Sequence, residues 1–135
     1  MIKIFYLGSD FGYHAIVANF NNLAKIIHVD SSDSALQDAL LDADALVDAS
    51  MRVRITDEMV RKALNLKIIS CATTGSDHID RTEIENRGIQ LRTLKEDRNF
   101  LKNLTPAAEH SWSLLMACSR KLPAAFDHVK SGMWD

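Results

Sequence analysis

Short apolar runs alternate with amphipathic stretches along the first 100 residues of the chain. The runs are rich in β-branched residues and predict five strands, at 2–7, 25–29, 45–47, 67–70 and 89–92. Stretches with apolar residues at helical spacing separate them, at 11–23, 34–40, 56–64 and 79–87. This alternation predicts an α/β fold, a flavodoxin-like, doubly wound, five-stranded parallel sheet with helices on both faces.

Residues of capping type mark the ends of these helices. Ser34-x-x-Gln37 has the form of a capping box, Thr56 is suited to an N-cap, and Gly88 is suited to closing the fourth helix. The first helix is expected to turn one apolar side towards the sheet, made of Ile16, Val17, Phe20 and Leu23.

The last third of the chain has a different pattern. After the polar stretch 94–103, Thr105 as N-cap and Pro106 as first helical residue predict a long helical segment, interrupted near Pro123 and resumed to about Lys130. Its apolar residues go round the cylinder, so more than one face needs cover. We therefore expect a domain over 1–100, followed by a linker and a long C-terminal helical segment over 101–135.

Composition and charge narrow the function classes. The 135 residues are 47% hydrophobic with a net charge of -2 and no basic stripe, which argues against a nucleic-acid partner. No apolar run approaches the ~20 residues of a membrane span, so we expect a cytoplasmic protein with no membrane partner. Cys71 and Cys118 lack a ligand spacing and are interpreted as reduced thiols; no set of histidines has a metal-binding spacing.

In doubly wound sheets, ligands bind at the carboxyl ends of the strands. The loops to search are therefore 8–10, 48–54 and 73–77. A glycine in the last of these loops lets an anion approach main-chain donors closely.

A set of motifs in the second half of the chain is more specific. The motifs are Gly75, Asp77-His78-Ile79-Asp80, Arg87-Gly88-Ile89, Ala108-Glu109-His110, Arg120-Lys121-Leu122-Pro123 and Gly132-Met133-Trp134. In this order and spacing they resemble the D-isomer-specific 2-hydroxyacid dehydrogenases, the 3-phosphoglycerate dehydrogenase-like family. The resemblance covers residues 44–135 well and 1–43 only in architecture, so it corresponds to the N-terminal, substrate-side portion of such an enzyme.

The resemblance implies a substrate and a set of binding residues. Backbone N–H groups of Thr74, Gly75 and Ser76 would hold the carboxylate of a small 2-hydroxy or 2-keto acid, with Asn103 as a polar side chain beside it. Cys71 stands where phosphoglycerate dehydrogenases often carry an arginine, which argues against a phosphorylated substrate. Arg52 or Arg54 on the neighbouring loop could supply that cation, and the alternative is that both are solvated arginines.

Other family features have no counterpart here. The glycines, at 8, 12, 75, 88 and 132, do not form the G-x-G-x-x-G turn that cradles a dinucleotide, and the family's later catalytic arginine, glutamate and histidine lie beyond this sequence. We assign no catalytic residue: His110 cannot pair with adjacent Glu109, and His78, beside Asp77 and Asp80, could at most assist at the loop. The chain alone is expected to bind no cofactor and to be catalytically inactive, whereas a full-length relative would use NAD. A homodimer through 105–131 is expected.

Two other function classes remain open. One is a stand-alone, catalytically silent flavodoxin-like module for binding or assembly. The other is a receiver-like signalling domain, because Asp48, Thr73 and Lys95 follow the third, fourth and fifth strands. Against it, Gly8-Ser9-Asp10 lacks the adjacent acidic pair that holds Mg²⁺.

Overall fold

The computed structural model of the protein describes residues 1–20 and 23–133 and forms two compact units, Met1–Asp97 and Arg98–Asp135. The first unit contains the strands β1 (Ile2–Leu7), β2 (Ala24–Val29), β3 (Ala45–Asp48), β4 (Ile68–Cys71) and β5 (Gln90–Thr93). Its α-helices are α1 (Asp10–Phe20), α2 (Asp33–Leu40), α3 (Asp57–Lys62) and α4 (Thr82–Asn86), and a 3-10 turn follows at Leu94–Glu96.

The strands form one parallel sheet in the order β2-β1-β3-β4-β5. The chain moves from β1 to β2 in one direction and from β2 through β5 in the other. Right-handed crossovers then place α1 on one face and α2, α3 and α4 on the opposite face. The doubly wound parallel sheet predicted from the sequence is confirmed, and every strand brings its carboxyl end to the same edge.

The hydrophobic core lies mainly between the sheet and α2, α3 and α4. Leu7, Leu46 and Ile69 from the strands and Leu36 and Val60 from the helices are completely buried. Burial of this kind is the main favourable term in folding. This packing holds β1, β3 and β4 against the helices and so fixes where their carboxyl-terminal loops begin.

Several predicted helix ends differ from those observed. The N-cap of α2 is Ser32, whose hydroxyl accepts from the amide of Ala35, so the predicted capping box at Ser34 and Gln37 is wrong. Ser34 lies inside the helix instead. The fourth helix begins at Thr82 rather than near residue 79, because residues 77–78 form a turn and Ile79 forms a β-bridge with Ile55. Thr56 caps α3 through its side chain, as predicted.

Helix α1 buries none of its residues, contrary to the predicted apolar side. It ends at Phe20, and Leu23 lies beyond it with 77% of its surface exposed. Residues 21–22 lie outside the described part of the chain. Helix α1 buries no residue because its apolar residues are spread around the cylinder instead of forming one stripe.

The second unit contains three helices, α5 (Arg98–Lys102), α6 (Pro106–Ser119) and α7 (Leu122–Lys130). The predicted interruption falls at Lys121, which has a left-handed φ of 51°, just before Pro123. Thr105 precedes α6 as predicted but makes no side-chain cap; its hydroxyl contacts the Glu109 carboxylate instead. None of the three helices has a buried residue, and no described helix is long and apolar enough to span a membrane.

Candidate functional site

Two loops meet at the carboxyl edge of the sheet, one after β3 and one after β4. A short parallel bridge joins them: the amide of Ile55 donates to the carbonyl of His78 at 2.9 Å, and the amide of Asp80 donates to the carbonyl of Ile55 at 2.9 Å. The completely buried side chain of Ile55 anchors this bridge in the core. The two loops therefore form one connected surface.

The loop after β4 carries the three predicted carboxylate-binding residues. Thr74 is exposed, Gly75 is half-buried and Ser76 is buried. The hydroxyl of Thr73 donates to the carbonyl of Gly75 at 2.9 Å, and the hydroxyl of Ser76 accepts from Arg81 at 2.9 Å. Both hydrogen bonds restrict the conformation of the loop.

The amide groups of this loop are free to donate. Within the described ranges 1–20 and 23–133, the N–H groups of Thr74, Gly75 and Ser76 have no hydrogen-bond partner. Main-chain donors without partners in a turn are the arrangement that binds small anions. Gly75 also leaves the approach open, since a Cβ placed there would lie 3.9 Å from the Asp77 carboxylate and 4.0 Å from the Met51 methyl.

A fully buried carboxylate, that of Asp48, lies at the end of β3. Its Oδ1 accepts from the amide of Ser50 at 2.7 Å, the hydroxyl of Ser50 at 2.9 Å and the amide of Met51 at 3.1 Å. Its Oδ2 lies 2.8 Å from Nε2 of His78. Because Oδ1 accepts three hydrogen bonds, we assign an ionised carboxylate and place the hydrogen on Nε2. One oxygen thus holds the β3 loop and the other holds the β4 loop.

Two neighbours show what this buried charge does locally. Met51 adopts a left-handed backbone conformation with φ of 54°, which is costly for any residue other than glycine. The hydrogen bond from its amide to Asp48 helps to hold that conformation. Burial, followed by the charge of Asp48, raises the pKa of the Cys71 thiol to about 11, so this thiol stays protonated.

A second carboxylate, Asp80, lies at the outer side of the same loop. It forms an ion pair with Arg54 at 2.7 Å, and the hydrogen bond from Arg54 lowers the pKa of Asp80. Arg54 is therefore already engaged. Arg52, the other candidate cation, makes no side-chain hydrogen bond or ion pair with any described residue.

A cleft of about 260 Å³ lies between the ends of β1 and β3, where the order in which the chain adds strands to the sheet reverses. Its lining residues are Gly8, Ser9, Ser31, Ala49, Ser50 and Arg52. Two glycines near it serve a different purpose, because a Cβ at Gly8 or Gly12 would collide with the hydroxyl of Tyr6. These glycines make room for a tyrosine, and nothing about them fits the pyrophosphate of a dinucleotide.

The remaining predicted residues lie elsewhere or have other roles. Asn103 belongs to the second unit, where its side-chain amide donates to the carbonyl of Asn99 at 3.0 Å. His78 pairs with Asp48, which lies 30 positions away, and not with Asp77 or Asp80. Sequence reasoning missed this pair because only the strand order brings the two residues together. No group of three or more possible metal ligands occurs among the described residues.

Comparison with known proteins identifies the family. The model of the D-isomer-specific 2-hydroxyacid dehydrogenases, catalytic domain, matches residues 14–95, which is more than half of the chain. The chain belongs to this family. The match begins at residue 14, whereas the motifs alone suggested good coverage only from residue 44.

Individual relatives agree with this assignment. The D-3-phosphoglycerate dehydrogenase of Archaeoglobus fulgidus is 34% identical over 84 residues, which cover 62% of this chain and 15% of that enzyme. The formate dehydrogenase of Pichia angusta is 29% identical over 107 residues, covering 78% of this chain and 29% of that enzyme. The chain thus spans less than a third of the length of either curated relative.

A solved structure confirms the fold. The NAD-dependent formate dehydrogenase from Staphylococcus aureus, solved in complex with NAD, has a TM-score of 0.77 and 21% sequence identity. The likeness covers 99% of this chain and 43% of that one.

Proposed function

We propose that this chain is the substrate-side portion of an NAD-dependent D-2-hydroxyacid dehydrogenase. In this proposal the loop after β4 binds the carboxylate of a small 2-hydroxy or 2-keto acid. The free amide groups of Thr74, Gly75 and Ser76 are the observation that carries it. The role of Asn103, expected from the resemblance alone, stays a prediction.

The chemistry of the loop supports a carboxylate as ligand. Three successive N–H groups offer hydrogen bonds to an anion without any competing internal acceptor. Gly75 allows close approach, and Thr73 and Arg81 hold the loop from either side. A ligand bound this way would need no side-chain cation, which agrees with Arg54 being occupied by Asp80.

Hydride transfer is proposed to require residues outside this sequence. The chain covers only 15% and 29% of two curated relatives, and its glycines do not form a dinucleotide fingerprint. We therefore expect the 135-residue chain by itself neither to bind NAD nor to reduce a keto acid. A nucleotide-binding portion would bind NAD and supply the proton-transfer group.

A homodimer through residues 105–131 is also part of the proposal. This segment exposes large apolar side chains, namely Trp112, Leu114, Leu115, Met116, Leu122, Phe126 and Val129. Exposed apolar groups at this density are typical of protein interfaces. A cytoplasmic location, expected from the sequence, stays a prediction.

Binding of pyruvate to the ¹⁵N-labelled chain tests the substrate site. We expect the amide resonances of Thr74, Gly75 and Ser76 to shift with pyruvate concentration, at the weak affinity of a half-open site. Gly75→Ala is the matched variant, because its methyl group meets no atom closer than 3.9 Å and so preserves the fold while covering the amides. Shifts confined to other parts of the chain, or equal binding by Gly75→Ala, would contradict the proposal.

A further inference from the structure

The buried pair Asp48 and His78 lies beneath the two loops and is not explained by substrate contact. Asp48 is completely buried, and the side chain of His78 is only 11% exposed. A buried carboxylate is costly unless each oxygen is well bonded, and here both are. Such an arrangement requires a structural or functional reason.

The geometry divides the carboxylate between two segments of chain. Oδ1 receives all three donors from Ser50 and Met51, on the β3 loop. Oδ2 receives the single donor from His78, two residues after Ser76 on the β4 loop. Moving either loop relative to the other would break a charge-assisted hydrogen bond to a completely buried carboxylate.

The same contacts reach the free amide groups. The Met51 methyl lies 4.0 Å from the position of a Cβ on Gly75, so the conformation that Asp48 imposes on Met51 sets one wall of the approach to Gly75. The amide of Ile79 donates to the carbonyl of Ser76 at 3.1 Å, which links the backbone beside His78 to the last carboxylate-binding residue.

We infer that Asp48 and His78 are positioning residues that fix the β4 loop against the β3 loop and so hold the amides of Thr74, Gly75 and Ser76 in a binding geometry. This inference rests on the proposed carboxylate site. Neither residue touches substrate. His78 acts through the loop, and Asp48 acts through His78 and Met51.

The test compares His78→Phe, His78→Gln and the control His14→Phe by ¹⁵N spectra and pyruvate titration. Phe fills the volume of the ring without a donor, whereas Gln keeps an N–H near the position of Nε2, the ring atom that bonds Asp48. His14 offers a control, because it is exposed on α1 and its ring contacts Tyr13 of the same helix.

We expect His78→Phe to shift amide resonances on both loops, over 49–51 and 74–77, and to weaken pyruvate binding about fivefold, as loss of one ordering hydrogen bond implies. His78→Gln should bind within about twofold of wild type. His14→Phe should leave the resonances of both loops unchanged.

Unchanged loop resonances in His78→Phe, or shifts limited to neighbours of residue 78, would overturn the inference. If wild type binds no pyruvate at Thr74–Ser76, the proposed substrate site fails. The amide resonances of wild type and His78→Phe then decide by themselves whether Asp48 and His78 couple the two loops. If His78→Phe does not fold, the ring spectrum of wild type decides: a neutral ring with its hydrogen on Nδ1 would exclude donation to Asp48.

Discussion

Replacing the buried carboxylate of Asp48 should destabilise the fold strongly, by an amount that the hydrogen bonds set. Asp48→Ala removes an acceptor from four donors, contributed by Ser50, Met51 and His78. Each hydrogen bond to a charged group contributes about 1.5–3 kcal/mol, but Ser50 is half-buried and Met51 is exposed, so water can replace part of the loss. We expect the free energy of unfolding to fall by about 3 kcal/mol.

Asp48→Asn should be milder, for a reason specific to this pair. The amide oxygen can replace Oδ1, but its NH₂ group would face Nε2 of His78. The ring must then move its hydrogen to Nδ1, a buried atom that has no partner among the described residues. A cost of about 1–2 kcal/mol follows, because hydrogen bonds to a charged acceptor become hydrogen bonds to a neutral amide and the unpaired Nδ1 changes from an acceptor to a donor.

Urea unfolding followed by circular dichroism measures both costs, provided that the slope with denaturant is unchanged. Asp44→Ala is the control, because the Asp44 carboxylate accepts one hydrogen bond, from the amide of Lys3. It should cost about 1 kcal/mol or less. The hydrogen bonds assigned to Asp48 would be contradicted if Asp48→Ala costs no more than this control, or if Asp48→Asn costs more than Asp48→Ala.

Three further predictions concern single residues. Iodoacetamide should label exposed Cys118 rapidly at pH 8 and Cys71 slowly, because a pKa of about 11 leaves about one thiolate in a thousand; equal rates, measured by mass spectrometry, would contradict its burial. Gly88→Ala should lower the free energy of unfolding by about 1 kcal/mol, since its φ of 66° is left-handed; an unchanged urea midpoint would argue otherwise. Because the pKa of Asp80 is lowered, its ion pair with Arg54 stabilises the fold at pH values above the ordinary carboxylate pKa, and this contribution disappears as the pH falls through the lowered pKa. In Arg54→Ala the pKa of Asp80, followed by NMR, should return to the ordinary carboxylate range; an unchanged pKa would contradict the ion pair.

Local patterns were sufficient to predict most of the fold. Strand β1 appears as the sequence predicts, and the other strands differ from their predicted bounds by one residue at one or both ends. Gly88 ends α4 in the expected left-handed conformation. These features depend on neighbouring residues, which the sequence displays directly. The capping box predicted at Ser34 is wrong because Ser32 and Ser34 are both suited to an N-cap, and the helix uses Ser32.

The candidate site was predictable only in part. Thr74, Gly75 and Ser76 follow a strand and contain a glycine, so their loop could be found from sequence, and their role as carboxylate ligands stays a prediction. The pairing of Asp48 with His78 depends on β3 lying beside β4, and on a loop that turns back across that edge. Nothing in either residue's own neighbourhood distinguishes it from an ordinary polar residue at a strand end.

An antibody raised against this 135-residue chain can measure the size of the protein in its native cells and so test whether the chain is one portion of a longer dehydrogenase. The chain covers 43% of the formate dehydrogenase structure it resembles, so we predict a species more than twice its 15.1 kDa mass, carrying the nucleotide-binding portion. A single species of 15.1 kDa would contradict it and would favour a catalytically silent binding or assembly module.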